Sequence, residues 1–270
     1  MTSDHVALVT GGGGGIGAAT SLVLAGAGAT VLVSGRDELH LQASVDAVRA
    51  AGGVAYPLSL DVCDEGSIRD ARQKALDLVG PVDWVVANAG VAISAALTSD
   101  EVESVAQKQM DVNYHGARRV FEAFLPHMLQ RGQGRVVMVA SSAALLGYPY
   151  ITGYAASKHA LLGYARSAAL EMRSKGVGVG VVCPHYVDTP MTDASVEHIV
   201  NKTDRNHDQA RAALADLNPG GKLVQAGEVA RVILRLLQSD SSGVVVELTG
   251  SEQREVESGL PLVPNTPKGD

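Results

Sequence analysis

The chain has 270 residues and a mass of 27.9 kDa, with 46% hydrophobic residues, 19% charged residues, a formal net charge of −7 and a pI near 5.6. That balance supplies apolar surface for one substantial core and excludes an intrinsically disordered chain. The acidic charge argues against nucleic acid or an anionic membrane surface as partner, and no apolar run approaches the roughly 18 residues of a membrane span.

Residues 1–5 are polar and give neither a basic start nor a signal-peptide core, so a cytoplasmic location is expected. A β-branched run at 6–9 opens the fold and leads through a glycine-rich turn into a helical pattern at 16–27. Strand-like runs then alternate with helical patterns: 30–34 with 38–51, 54–58 with 65–79, 84–87 with 99–125, and 135–140 with 154–173. A strand at 177–183 follows, then a polar, helix-prone segment at 190–222, a helix at 228–238 and a last strand at 244–248. The strands are continuously apolar rather than alternating, as strands covered by helices on both faces should be. An α/β fold is therefore predicted: a single domain over residues 1–250, built on a parallel sheet of about seven strands with right-handed crossovers. Residues 190–222 are expected to form a lid within it, and residues 251–270 a tail or subunit-contact arm. Cys63 and Cys183 stand far apart without metal-ligand spacing, so free thiols and no metal site are expected.

Residues 10–17 read Thr-Gly-Gly-Gly-Gly-Gly-Ile-Gly between the first strand and the first helix. A strand-to-helix turn aims backbone N–H groups and the helix dipole at a pyrophosphate, and glycine lets it approach closely. The run fits Gly12-x-Gly14-x-x-Gly17 and equally a looser pattern on Thr10, Gly11, Gly15, Ile16 and Gly17. At the tip of the second strand, where an acidic residue would bind the ribose hydroxyl of NAD, stand Gly35 and Arg36. A cation there suits the 2′-phosphate of NADP, which is favoured, with NAD as the alternative.

Tyr154 and Lys158 lie one helical turn apart on one face, and no other tyrosine has Lys at the fourth following position. A phenol is a poor base at neutral pH, but a neighbouring ammonium stabilises its phenolate, each pKa unit being worth about 1.4 kcal/mol. Such a pair can exchange a proton with an alcohol or carbonyl oxygen.

Together the glycine turn and the Tyr-x-x-x-Lys pair resemble the short-chain dehydrogenase/reductase family, over about residues 6–250. Further motifs follow in the family's order. Asn88-Ala89-Gly90 is similar to its N-N-A-G, with Ala87 in place of the first Asn. Residues 111–116, Asp-Val-Asn-Tyr-His-Gly, resemble the helix segment whose Asn, here Asn113, supports a proton-relay water. Residues 134–142 resemble the strand ending in the catalytic serine; the register favours Ser141, with Ser142 as runner-up. Asp61-Val62 resembles the adenine-binding pair. Residues 184–189 resemble P-G-x-V-x-T, placing Pro184, Val187 and Thr189 at the nicotinamide carboxamide, with His185 replacing the glycine.

The resemblance implies a Rossmann-type doubly wound domain and an NAD(P)-dependent oxidoreductase interconverting a secondary alcohol and a ketone. Tyr154 would be the proton-transfer residue, Lys158 would lower its pKa and bind the nicotinamide ribose, Ser141 would hold the substrate oxygen, and Asn113 would complete the relay. A homodimer or homotetramer is implied, joined through the helices at 99–125 and 154–173. Val91, Ile93, Ala143, Leu145, Tyr148, Tyr186 and Met191 are the expected pocket positions, with Tyr148 and Tyr186 on the substrate; their apolar character favours a hydrophobic or alicyclic substrate. A 3-oxoacyl or 3-hydroxyacyl thioester oxidoreductase is the enzyme alternative, and a catalytically silent dinucleotide-sensing scaffold the alternative of another class.

Overall fold

In chain order the strands are β1 (Val6–Thr10), β2 (Thr30–Gly35), β3 (Val54–Ser59), β4 (Trp84–Ala87), β5 (Gly134–Val139), β6 (Val177–Pro184), β7 (Val187–Asp188), β8 (Val224–Gln225), β9 (Val245–Leu248) and β10 (Gln253–Val256). The helices are α1 (Gly15–Gly26), α2 (Glu38–Ala50), α3 (Glu65–Val79), α4 (Val102–Met110), α5 (Ala117–Arg131), α6 (Thr152–Met172), α7 (Pro190–Lys202), α8 (His207–Asp216) and α9 (Ala226–Gln238). These positions come from a computed structural model, which describes residues 5–256. Eight strands form one sheet in the order β10-β9-β6-β5-β4-β1-β2-β3, and β7 pairs with β8 in a separate parallel ribbon.

Neighbours within the large sheet run parallel except β10, which is antiparallel to β9. Alternate residues of each strand serve two cores. Leu8, Leu32, Val85, Met138 and Val181 pack against α3, α5 and α6. Val9, Val33, Val86, Val137 and Val182 face α1, α2 and α9. Burial on both faces explains why the strand sequences show no alternation. After β3 the chain crosses back to β4 on the far side of β1, so strand order reverses between β1 and β4 and a crevice opens at their carboxyl ends.

Three features depart from the sequence reading. The helix expected over 99–125 is broken: α4 ends at Met110, a π-helical turn spans Asp111–Gly116, and α5 runs on past Pro126 to Arg131. The π turn accommodates Asn113, whose side chain is spent on loop backbone, and Gly116, where a Cβ would lie 2.6 Å from Val62 Cγ2. β7 and β8, at two residues each, are too short to carry a strand signature. β10 falls where a tail was expected; its residues are largely exposed and charged, which hides the strand pattern. The rest of that segment, 257–270, lies outside the described residues.

Candidate active site

Three glycines shape the loop after β1. Gly11 at φ 64° and Gly15 at φ 52° take the left-handed backbone that glycine adopts freely. At Gly17 a Cβ would sit 2.1 Å from the Gly11 carbonyl oxygen, so α1 meets the loop only without a side chain there. Gly14 differs: it is the extended N-cap of α1, with nothing within 4 Å of a Cβ position. Gly12 is tight too, a Cβ there meeting Val33 Cγ1 at 2.6 Å, so it is the backbone angles at Gly11 and Gly15 and the open Gly14 that favour the template on Gly11, Gly15 and Gly17. The unpaired amides of the α1 N-terminus open onto the space beside Gly14, a cradle that fits a dinucleotide pyrophosphate.

Thr10 and Asn88 knit this loop to β4. Thr10 Oγ1 accepts from the N–H groups of Asn88 and Ala89 at 3.0 Å each, and the Asn88 amide donates to the carbonyls of Thr10 and Gly11 at 2.8 and 3.2 Å. At the tip of β2 the Arg36 side chain is exposed, 3.9 Å from the Asp61 carboxylate. Asp37 is engaged as the N-cap of α2, accepting from His40 N–H at 3.1 Å. Asp61 accepts from Cys63 N–H at 2.9 Å, and Val62 packs on Gly116. From the far side, the Thr189 methyl comes within 3.2 Å of a Gly15 Cβ position, so the start of α7 abuts the glycine loop.

Tyr154 and Lys158 occupy the first turns of α6, as their spacing predicts. Burial pushes the Tyr154 phenol up to about 12, against a smaller lowering from the Ser141 hydroxyl that hydrogen-bonds it. Burial pulls the Lys158 ammonium down to about 8. The lowering of the phenol expected from Lys158 does not appear: burial raises it, and the lowering comes from Ser141. The ammonium donates to the Val139 carbonyl at 2.9 Å and stands 5.7 Å from the Tyr154 ring centre, so desolvation dominates.

Ser141 lies two residues past β5, beside Tyr154, whereas Ser142 is buried and accepts from the Tyr148 hydroxyl at 2.9 Å. Asn113 is fully buried. Its Oδ1 accepts from Val91 N–H at 2.8 Å, and its Nδ2 donates to Val91 O at 2.9 Å and Ser157 Oγ at 3.0 Å. The side chain therefore anchors the loop after β4 to α6. Gly90 sits between: a Cβ there would lie 3.2 Å from Asn113 Oδ1 and 3.6 Å from Lys158 Nζ.

The sequence model of the short chain dehydrogenase family matches residues 5–200. The chain belongs to this family. It is 32% identical over 250 residues to cyclohexanol dehydrogenase of Acinetobacter sp. (strain SE19), covering 93% of this chain and 92% of that one. It is 31% identical over 245 residues to a 3-oxoacyl-(acyl-carrier-protein) reductase of Thermotoga maritima, covering 91% and 95%. A solved structure of an actinorhodin polyketide ketoreductase variant with NADPH matches with a TM-score of 0.87 at 29% identity, over 93% of this chain and 98% of that one. The chain is accordingly an NAD(P)-dependent oxidoreductase that interconverts an alcohol and a ketone.

In this short-chain dehydrogenase a cavity of about 850 Å³ gathers Ile16, Asn88, Gly90, Ser141, Tyr154, Lys158, Pro184, Val187 and Thr189 from both halves of the sheet. Of the expected pocket positions, Ala143, Tyr148, Tyr186 and Met191 line it. Val91, Ile93 and Leu145 do not; Val91 and Ile93 give their N–H groups to Asn113 and Gln109. The sequence reading missed Ala92, Ala95, Tyr150 and Ile151 in the loops, and Leu214 and Leu217 at the end of the helical segment. Only the length of that segment, too long for a simple connection, hinted at the latter two. Arg211 fastens α8 through Asp193, at 2.6 Å, and Asp188. His185 is buried, with Nε2 2.8 Å from Glu247 Oε1, while Glu247 Oε2 accepts from Arg254 Nε at 2.5 Å; this ties the end of β6 to β9 and β10.

Proposed function

We propose that this short-chain dehydrogenase interconverts an apolar or alicyclic secondary alcohol and its ketone, with NADP(H) preferred over NAD(H). The reading rests on the convergence of Ser141, Tyr154 and Lys158 with Ile16 and Thr189 on one largely apolar cavity. A bound nicotinamide dinucleotide supplies or accepts the hydride. The protein's own part is proton handling and positioning. The Ser141 hydroxyl holds the substrate oxygen beside Tyr154; in reduction the phenol gives that oxygen a proton, and in oxidation the phenolate removes one. Lys158 would bind the nicotinamide ribose and recharge Tyr154. Asn113, its side chain spent on Val91 and Ser157, would serve the relay through its main-chain carbonyl. Thr10, Gly11, Gly15 and Gly17 form the pyrophosphate cradle, Asp61 and Val62 flank adenine, and Asn88, Ala89, Gly90, Pro184, Val187 and Thr189 border the nicotinamide half. Tyr148 and Tyr186 are assigned to the substrate, and residues 190–222 to its lid. Subunit contacts of a dimer or tetramer would use the outer faces of α4, α5 and α6, and the free cysteines suit a cytoplasmic setting.

A panel of cyclic and linear alcohols and ketones, followed by nicotinamide absorbance with each cofactor, tests the reading. Turnover of alicyclic secondary alcohols with NADP is expected; no turnover of any compound would favour the silent scaffold. The 3-oxoacyl thioester reading has one observation behind it: Lys202 and Arg205 line the cavity without a carboxylate partner among the described residues, where a phosphate-bearing acyl carrier could be held.

Cofactor choice is tested at the tip of β2. A Cβ on Gly35 would meet only Leu41 Cδ2, at 3.3 Å, so Gly35→Asp fits the fold. Its carboxylate repels a 2′-phosphate and accepts from a ribose hydroxyl, so the NADP-to-NAD ratio of kcat/KM should fall by about 100-fold. A ratio left unchanged would move the 2′-phosphate site elsewhere.

The pH profile follows from the same burial. With Lys158 at about 8 and Tyr154 at about 12, ketone reduction should be level below pH 8 and decline above it, as the ammonium discharges while the phenol keeps its proton. The stability linkage has the opposite sign. Lys158 titrates below its ordinary value of 10.5, so between about 8 and 10.5 the unfolded chain holds more protons and stability rises with pH from this group. Reduction rates and urea midpoints measured across that window check both slopes.

A further inference from the structure

We propose that Tyr150 is a specificity-determining residue, whose ring forms a platform at the cavity rim for the far ring of an extended, apolar substrate. This deepens the alcohol–ketone reading and rests on it. Tyr150 is the one non-glycine with positive φ among the described residues, at 65°. Left-handed backbone is unfavourable for a bulky aromatic, and glycine or asparagine would avoid the strain. The conformation is held by the Tyr150 carbonyl, which accepts from Ala95 N–H at 2.8 Å and so bridges the loop after β4 to the loop before α6.

Among the described residues the side chain gains little in return. It is 66% exposed, its hydroxyl makes no hydrogen bond, and its ring pairs with no other ring among the described residues. Strained residues of this kind gather at ligand clamps, where the binding partner supplies the missing contact. Tyr150 lines the same cavity as Tyr154 and Ser141. Of the other cavity-lining residues, the apolar Met191 and Leu217 are exposed at 42% and 51%, with the polar Glu101, His198, Lys202 and Arg205 exposed beside them. Residues that both line the cavity and face solvent define its rim, and Tyr150, Met191 and Leu217 give that rim an apolar part beside its charged one. Deeper in the cavity, Tyr148 and Tyr186 already pair edge to face at 6.4 Å, which leaves Tyr150 the unpartnered aromatic surface. A single-ring substrate at Tyr154 needs no contact there; a fused or extended second ring does.

The test compares 2-tetralone, a two-ring ketone, with cyclohexanone on the wild type, Tyr150→Asn and Tyr150→Phe. Asparagine tolerates the left-handed backbone and removes the ring; phenylalanine keeps the ring. Aromatic stacking predicts that Tyr150→Asn lowers kcat/KM for 2-tetralone about tenfold and leaves cyclohexanone within about twofold, while Tyr150→Phe keeps the wild-type ratio. The Tm of Tyr150→Asn should be no lower than wild type, separating a binding role from a structural one. Calorimetric titration of the NADP-loaded protein with 2-tetralone reads the same contact without turnover, so a protein that reduced neither ketone would sink the alcohol–ketone reading and still test this one. An unchanged ratio and affinity in Tyr150→Asn overturns the proposal, as does a loss in Tyr150→Phe equal to that in Tyr150→Asn. A shift in sedimenting mass at unchanged ratio overturns it too, and would assign the ring to contact between copies.

Discussion

Replacing Tyr154 by Phe should lower kcat by about 10²- to 10⁴-fold and leave dinucleotide affinity within about threefold. The change removes one oxygen and keeps the ring, so the packing of α6 and the Lys158 bond to Val139 survive. Burial disfavours the phenolate, which titrates at about 12, so losing the hydroxyl should not destabilise the fold. Cofactor titration by fluorescence, with steady-state rates on the same preparation, separates binding from chemistry. A variant retaining a tenth of wild-type kcat would remove Tyr154 from the proton path. The serine doublet offers an internal control. Ser141→Ala should cost about 10²- to 10³-fold in kcat, as loss of a preorganised donor does. Ser142→Ala should cost less than about tenfold, because its hydroxyl supports Tyr148 and not the substrate oxygen.

Gly17→Ala should damage cofactor binding and folding together. The new methyl would lie 2.1 Å from the Gly11 carbonyl oxygen and 2.8 Å from Asn88 Nδ2, and neither can yield, because Asn88 is anchored to Thr10 and Gly11. Overpacking of this kind costs about 1–3 kcal/mol. Since the displaced atoms belong to the proposed pyrophosphate cradle, dinucleotide Kd should rise by about 100-fold or more. Gly26→Ala, in the same helix with nothing within 4 Å of its Cβ, should be neutral or stabilising by up to about 1 kcal/mol. Thermal melts and calorimetric titration of both variants decide the matter. Equal behaviour of the two would mean that the loop tolerates a side chain at its closest approach.

The layered fold was legible because its strands are buried on both faces. Runs such as Leu8 to Val9 and Val136 to Val139 are apolar without interruption, and that continuity identifies a parallel sheet. The placing of Tyr154 beside Lys158 was legible because one helical turn fixes their relation whatever surrounds them. Their acidities were not. The sequence cannot reveal that the ammonium turns toward the Val139 carbonyl, or that burial raises the phenol. Five consecutive glycines fitted two templates until backbone angles at Gly11 and Gly15 separated them. Asn113 could be picked out by its motif, yet the π turn that seats it depends on bonds to Val91 and Ser157, distant in the chain. Tyr150 was invisible for the same reason: its carbonyl is held by Ala95, distant in the chain, and nothing local marks its positive φ.

The two ends of the large sheet bear on how the protein behaves when crowded. An open strand edge is a template for other chains, and repeated addition there is the first step toward fibrils. On one side that edge is β10, four residues long with Arg254 and Glu255 at its centre. On the other it is β3, which carries Pro57, a residue with no N–H to offer a newcomer. Both flanks thus resist templated aggregation, and a change such as Pro57→Val should show its effect in the concentration at which the protein precipitates rather than in turnover.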